Sequence, residues 1–329
     1  MENFDEKSLK VSETPHLRSY KKTSNIMFKV FLALCPAAFY GVRIFGPRAA
    51  IMILVSIASC LLSETVYNLI MKKKNTVSDG SALVTGMLIA MNVSSLMPYW
   101  QVALGCVFAI IIVKQLFGGL GCNFMNPALA GRAFLMASFA GNMTNWAVPG
   151  EKYPLFGNLA DAVTSPTPLA VAETENAATL SELFFGNTGG CIGETSAFLL
   201  ILGGIYLIAA GVIRIHIPLS YIGTVFVLTL FATGFDFNIT LKYLLSGGLM
   251  LGAFFMATDY VTSPMTGKGR IVAGILCGIL TVSIRVYGGY PEGVSYSILL
   301  MNAATPLIDK VCRQKRFGEV SAWKKKKQA

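Results

Sequence analysis

Gly121-Cys122-Asn123-Phe124-Met125-Asn126-Pro127-Ala128-Leu129-Ala130-Gly131-Arg132 follows one apolar run, 101–117, and opens a shorter one, 127–140. Proline breaks a helix that it enters but suits the first helical position, and Asn caps well just before it. The stretch therefore predicts a turn that ends one helix and launches another at 127. Thr258-Asp259-Tyr260-Val261-Thr262-Ser263-Pro264-Met265-Thr266-Gly267-Lys268-Gly269-Arg270 has the same form, polar residues and Pro closing on Gly and Arg, before the run 271–287. A second echo pairs Leu88-Ile89-Ala90-Met91-Asn92 with Leu299-Leu300-Met301-Asn302. Two halves of about five spans each with opposite topology are the expected arrangement, as in many channels and transporters. Backbone groups freed at membrane depth are tolerated only beside a cavity or ligand, so these segments point to a buried site.

Outward from these motifs the chain is apolar. Of 329 residues, 54% are apolar and 13% charged, with a mean hydropathy of +0.60. Soluble domains carry roughly 25% charge, so an ordinary soluble fold is excluded. A span needs about 20 mainly apolar residues. Candidates lie at 26–45, 49–71, 101–117, 196–213, 218–235, 240–257, 271–287 and 294–309, with weaker ones at 80–96 and 127–140. The expected fold is an all-α integral membrane protein of about ten transmembrane helices in two inverted five-helix repeats, with short or broken helices near the motifs. Threaded with the N-terminus inside, 21 of the 27 Lys and Arg fall on the inner side, which predicts both termini cytoplasmic. The expected divisions are a cytoplasmic tail, 1–25; a first membrane repeat, 26–140; an extracytoplasmic loop, 141–195; a second repeat, 196–310; and a basic cytoplasmic tail, 311–329. The first 25 residues lack the apolar core of a cleavable signal, so the N-terminus is expected to be retained.

The net charge of +10 sits in tails and a few loops, not in one stripe with interleaved aromatics, which argues against nucleic acid. Seven Cys show no CxxC spacing and most lie in apolar runs, and His16 and His216 do not make a metal site.

Several residues can carry chemistry. Asn123 and Asn126, three apart, face the same way and offer amide donors and acceptors together. They can hold a polar ligand such as the edge of a heterocycle, or Asn126 can simply cap the helix at Pro127. Asp259, with Thr258 and Thr262, is the counterpart in the second motif, open to capping, cation binding or cofactor tuning. Glu64 lies inside the span 49–71, where a carboxylate is costly and so points to an ion path; otherwise it faces a partner or a crevice. In the polar loop, Thr167 lies between Pro166 and Pro168, so its backbone is stiff and extended and its hydroxyl is expected to be displayed to a modifying enzyme, unless the segment is a plain turn.

Taken together, four ordered motifs resemble the RnfD/NqrB family over about residues 26–310: Gly118 to Phe134, Asp161 to Leu169, Thr258 to Thr266, and Tyr290 to Asp309. The short outer loop and the lack of a long N-terminal extension are most similar to the RnfD branch, which belongs to the Rnf ion-translocating electron transport complex. The resemblance implies covalent FMN on Thr167 through a phosphoester, added by a flavin transferase that reads Asp161, Thr164 and Ser165; Ala162 and Pro166 stand where Gly and Ala are common. It implies non-covalent riboflavin at Asn123 and Asn126. It also implies a bacterial inner-membrane complex, with other Rnf subunits as partners, passing electrons between reduced ferredoxin and NAD while moving Na+ or H+. This chain would be one relay, without a complete active site of its own. A reading of a different class is a self-contained channel or transporter for a small polar solute, which inverted repeats with broken helices also describe.

Overall fold

The computed structural model describes residues 22–151, 153–155, 167–169, 178–288 and 293–313. Residues 1–21 and 314–329 of the tails and the loop residues Asp161, Thr164 and Ser165 lie outside the described residues. Among the described residues there are helices and no strand. The elements are α1 (Thr23–Phe45), α2 (Pro47–Ile70), α3 (Ser81–Met91), α4 (Tyr99–Val107, continued as a π-helix Phe108–Gln115), α5 (Pro127–Ser138), α6 (Ala140–Met143), α7 (Leu180–Phe185), α8 (Ala197–Ala209), α9 (His216–Ala232), α10 (Phe237–Leu245), α11 (Leu249–Leu251, continued as a π-helix Gly252–Met256), α12 (Gly267–Tyr287) and α13 (Val294–Val311).

The apolar runs read from the sequence all hold helix. α1, α2 and α12 are each long and apolar enough to cross a bilayer, while α3, α4 with its π extension, α8 and α9 are apolar but shorter. Large apolar side chains point outward along them, including Phe39 (76% exposed), Leu54 (65%) and Leu69 (71%). In water such a surface would aggregate; in lipid it is the solvated one. The chain is a multi-pass membrane protein.

The run 240–257 is not one straight helix. It bends by 60° between α10 and the segment Leu249–Met256, because Gly247 and Gly248 take φ of 69° and 67°, the left-handed region open to glycine. The carbonyls freed at the bend are satisfied by Arg285 from α12, which donates to Tyr243 O (2.7 Å), Gly247 O (3.1 Å) and Ser246 O (3.3 Å). Elsewhere small residues let helices close up. α9 lies along α12 where Gly278 leaves no room for a side chain: a Cβ there would meet Thr224 Cβ at 2.6 Å. Close approach through small residues is how helices associate in lipid, where apolar burial alone does not drive them together. Hydroxyls then bind the contact: Tyr221, Thr281 and Ser297 from α9, α12 and α13 hydrogen-bond in a buried triangle at 2.6, 2.7 and 3.1 Å.

Three of the cations counted to the inner or outer side of the membrane, Arg48 and Arg132 outer and Lys114 inner, are inside the protein. Arg132 is buried and donates to Asn92 Oδ1 and Ser295 Oγ, both at 3.0 Å. Arg48 is buried and donates to Ser95 O (2.8 Å) and Pro154 O (2.9 Å). Lys114 is also buried. Hydropathy counts such residues by sequence position, whereas a guanidinium or ammonium in a bundle is placed by the acceptors that satisfy it.

Candidate functional site

The two motifs meet. Asn126 caps α5: its Oδ1 accepts from the backbone N–H of Ala128 (3.0 Å) and Leu129 (3.5 Å), ahead of Pro127 at the first helical position. The cap expected from the spacing is therefore present. The same side chain also reaches across the fold, its Nδ2 donating to Met256 O at the end of the π segment after α11 (3.2 Å). Asn302 of α13 joins both motifs, accepting from Asn126 N–H (3.1 Å) and donating to Thr262 Oγ1 (3.3 Å). Asn123 donates to Met125 O (3.0 Å), and its side chain also hydrogen-bonds Asp259 of the second motif. Thr262 Oγ1 donates to Asp259 Oδ2 (3.1 Å). Burial pushes the Asp259 carboxyl above the usual carboxylate range, against the pull of the donors from Thr262, Val261, Asn123 and Tyr260.

This junction walls a cavity of about 450 Å3, a size typical of small-molecule sites. Its apolar lining comes from Met27, Val30, Leu88, Phe254 and Phe255, and its polar lining includes Ser81, Lys114, Asn123, Asn126, Thr258 and Asp259. Both π-helical segments end here, one bringing Lys114 and the other Phe254 and Phe255. Wide turns of this kind mark functional positions in helices. Broad apolar walls with amides and a carboxyl converging along one side suit a flat heteroaromatic ring with hydrogen-bonding edges.

Glu64 does not line the cavity but is tied to it. Lys114 Nζ lies 3.0 and 3.1 Å from its two carboxylate oxygens and 2.7 Å from Ser81 Oγ. Glu64 Oε1 also accepts from Thr76 Oγ1 (2.7 Å) and Gln115 Nε2 (2.9 Å), and Asn68 donates to Thr76 (3.1 Å). Glu64 thus has its ionic and hydrogen-bonding partners within its own chain. Sequence reasoning passed over Lys114, Gln115, Thr76 and Ser81; the available signal was a lysine at the end of an apolar run opposite a mid-span glutamate.

Thr167 differs from expectation. Its residue is 5% exposed, so its hydroxyl is not displayed. Two residues on, Leu169 is buried against the bend, its Cδ2 2.8 Å from where a Cβ on Gly247 would stand, in the company of the Arg285 guanidinium. Burial of that leucine favours docking of the segment against the bend.

Residues 10–318 match the NQR2, RnfD, RnfE family. The chain belongs to that family. It is 47% identical over 321 residues to the D subunit of the Na(+)-translocating ferredoxin:NAD(+) oxidoreductase complex of Acetobacterium woodii, covering 96% of this chain and 97% of the relative. It is 44% identical over 322 residues to the D subunit of the proton-translocating ferredoxin:NAD(+) oxidoreductase complex of Clostridium ljungdahlii, covering 94% and 96%. It is 39% identical over 323 residues to the D subunit of the ion-translocating oxidoreductase complex of Stutzerimonas stutzeri, covering 89% and 91%.

Proposed function

We propose that this family member is the RnfD component of an Rnf-type complex, a translocase that couples electron transfer between reduced ferredoxin and NAD to movement of Na+ or H+ across a bacterial cell membrane. Near-full-length relatives so named support the reading, and the observation that carries it to particular residues is the cavity where the two Pro-broken motifs meet. In this reading about ten spans form two inverted five-helix repeats, 26–140 and 196–310, with both termini cytoplasmic and the 141–195 loop extracytoplasmic.

Two flavins are assigned to the chain: FMN esterified to Thr167 by a flavin transferase that reads Asp161, Thr164 and Ser165, and riboflavin in the cavity against Asn123 and Asn126. A flavin supplies one- and two-electron chemistry, and the protein's contribution is position and electrostatics. The chain's own part is specific. Asn126 ties the first motif to the π segment that leads into the second while facing the cavity, Asn123 and Asp259 link the two motifs and present hydrogen-bonding groups to it, and the phenylalanines exclude water. Glu64 lies on the ion path. The ferredoxin and NAD sites fall to other subunits of the complex.

The deciding experiment is fluorescence of the denatured chain in a gel, made with its transferase present. A flavin-bright band near 35 kDa that Thr167→Ala abolishes is expected; a dark wild-type band would instead favour a self-contained channel or transporter. Retention of full ion-coupled activity in Glu64→Gln would remove Glu64 from the ion path.

A further inference from the structure

We propose that Lys114 supplies the positive charge in a cavity lining that also holds the Asp259 carboxyl, and that Glu64 holds this lysine in competition with any negative charge the cavity carries; the proposal rests on reading the cavity as a flavin site. Within the Glu64 network Lys114 and Ser81 line the cavity, and Glu64 stands behind them. The ammonium has three N–H groups, and its contacts are with the two Glu64 oxygens and Ser81 Oγ.

Such a pair adds little to stability, since two ions lose their hydration to form it and an apolar pair of the same volume often does as well. Its position gives it another use. Lys114 ends a flexible four-carbon stem at the close of the π-helical segment, so its charge can shift between carboxylate and cavity while the backbone stays in place. Glu64 does not depend on the lysine alone to keep its place, because Thr76 and Gln115 also donate to Oε1.

The sign of the effect at each end follows from Coulomb's law in a poorly screened interior. Reduction adds negative charge to a bound ring, which a nearby ammonium favours and a nearby carboxylate opposes. Glu64→Gln leaves the ammonium unopposed and makes reduction easier; Lys114→Met leaves the carboxylate unopposed and makes it harder. Coupling of this kind is reciprocal: a cation that binds at Glu64 favours reduction at the cavity, and reduction at the cavity favours binding of that cation to the same degree.

The test is a spectroelectrochemical titration of the full chain carrying Thr167→Ala, so that the flavin observed is the non-covalent one. At a fixed potential, Glu64→Gln is expected to raise the reduced-to-oxidised ratio about tenfold and Lys114→Met to lower it about tenfold, roughly 30 mV each way for a two-electron couple. The double variant Glu64→Gln/Lys114→Met should fall between the two, below Glu64→Gln. Should Lys114→Met fail to accumulate, that last comparison reads the same sign without an unpaired buried carboxylate. Potentials that move in the same direction, or stay put, with flavin bound overturn the proposal alone. A chain with Asn123 and Asn126 intact that holds no non-covalent flavin overturns the cavity reading and the proposal with it.

Discussion

Asn126 donates its side-chain amide to the carbonyl of Met256, 130 residues away, at 3.2 Å. One residue thus ties the start of one helix to the end of another, and the cavity forms where they join.

Replacing Asn126 by Leu removes a cap worth about 1 kcal/mol and leaves Met256 O without its donor. Asn123→Leu/Asn126→Leu is expected to reduce non-covalent riboflavin several-fold while covalent FMN stays at the wild-type level. Flavin extraction and chromatography check this; unchanged riboflavin would take both residues out of the site.

In the proposed reading of Thr167 as the FMN acceptor, its burial requires modification before residues 167–169 dock, or only when they lift. Leu169→Lys should undock the segment, since an ammonium against the Gly247 bend loses the apolar contact and is repelled by the Arg285 guanidinium beside it. Unmodified purified chain incubated with flavin transferase and its flavin donor should then gain fluorescence several times faster in Leu169→Lys than in wild type. Equal rates would mean that docking does not protect the hydroxyl.

Gly278 sets the distance between α9 and α12. Leu there must push into Thr224, at a cost of about 1–3 kcal/mol for overpacking. Size-exclusion chromatography in detergent is expected to show a lower yield of the monodisperse species for Gly278→Leu, with Gly278→Ala less affected.

Asp259 predicts a pH dependence with a definite sign. Its folded-state pKa is raised by burial, so as pH falls through that value the folded chain takes up a proton more readily than the unfolded one. Wild type gains stability relative to Asp259→Asn, and the gain is complete below the ordinary carboxylate range. At higher pH the buried charge is a cost that Asn lacks. Thermal unfolding from about pH 8 to about pH 4 should show wild type improving against the variant toward acid; a difference that does not change with pH would contradict it.

The membrane class, the helical segments and the cap at Asn126 are local properties. Apolar run length, a proline and the residue before it are all written in consecutive positions, and a helix satisfies its own backbone wherever the rest of the chain goes. Even the weak run 80–96 contains a helix, Ser81–Met91, of 11 residues. The bend in 240–257 was less visible, because Gly247 and Gly248 are compatible with a continuous helix until Arg285, from a distant span, supplies donors for the carbonyls that a bend exposes.

By itself, then, the order of residues determined a lipid-embedded helical protein with two proline-interrupted motifs and a mid-span carboxylate. Tertiary structure alone decided what those features meet: Asn123 against Asp259, Asn126 against Met256, Glu64 against Lys114, and Leu169 against the Gly247 bend with Thr167 buried nearby in the chain. The reason is physical. Helix and span are set by neighbours a few residues apart, whereas a buried amide or ion is held by whichever partner the packing of remote helices brings within about 3 Å, and no rule of spacing encodes that distance.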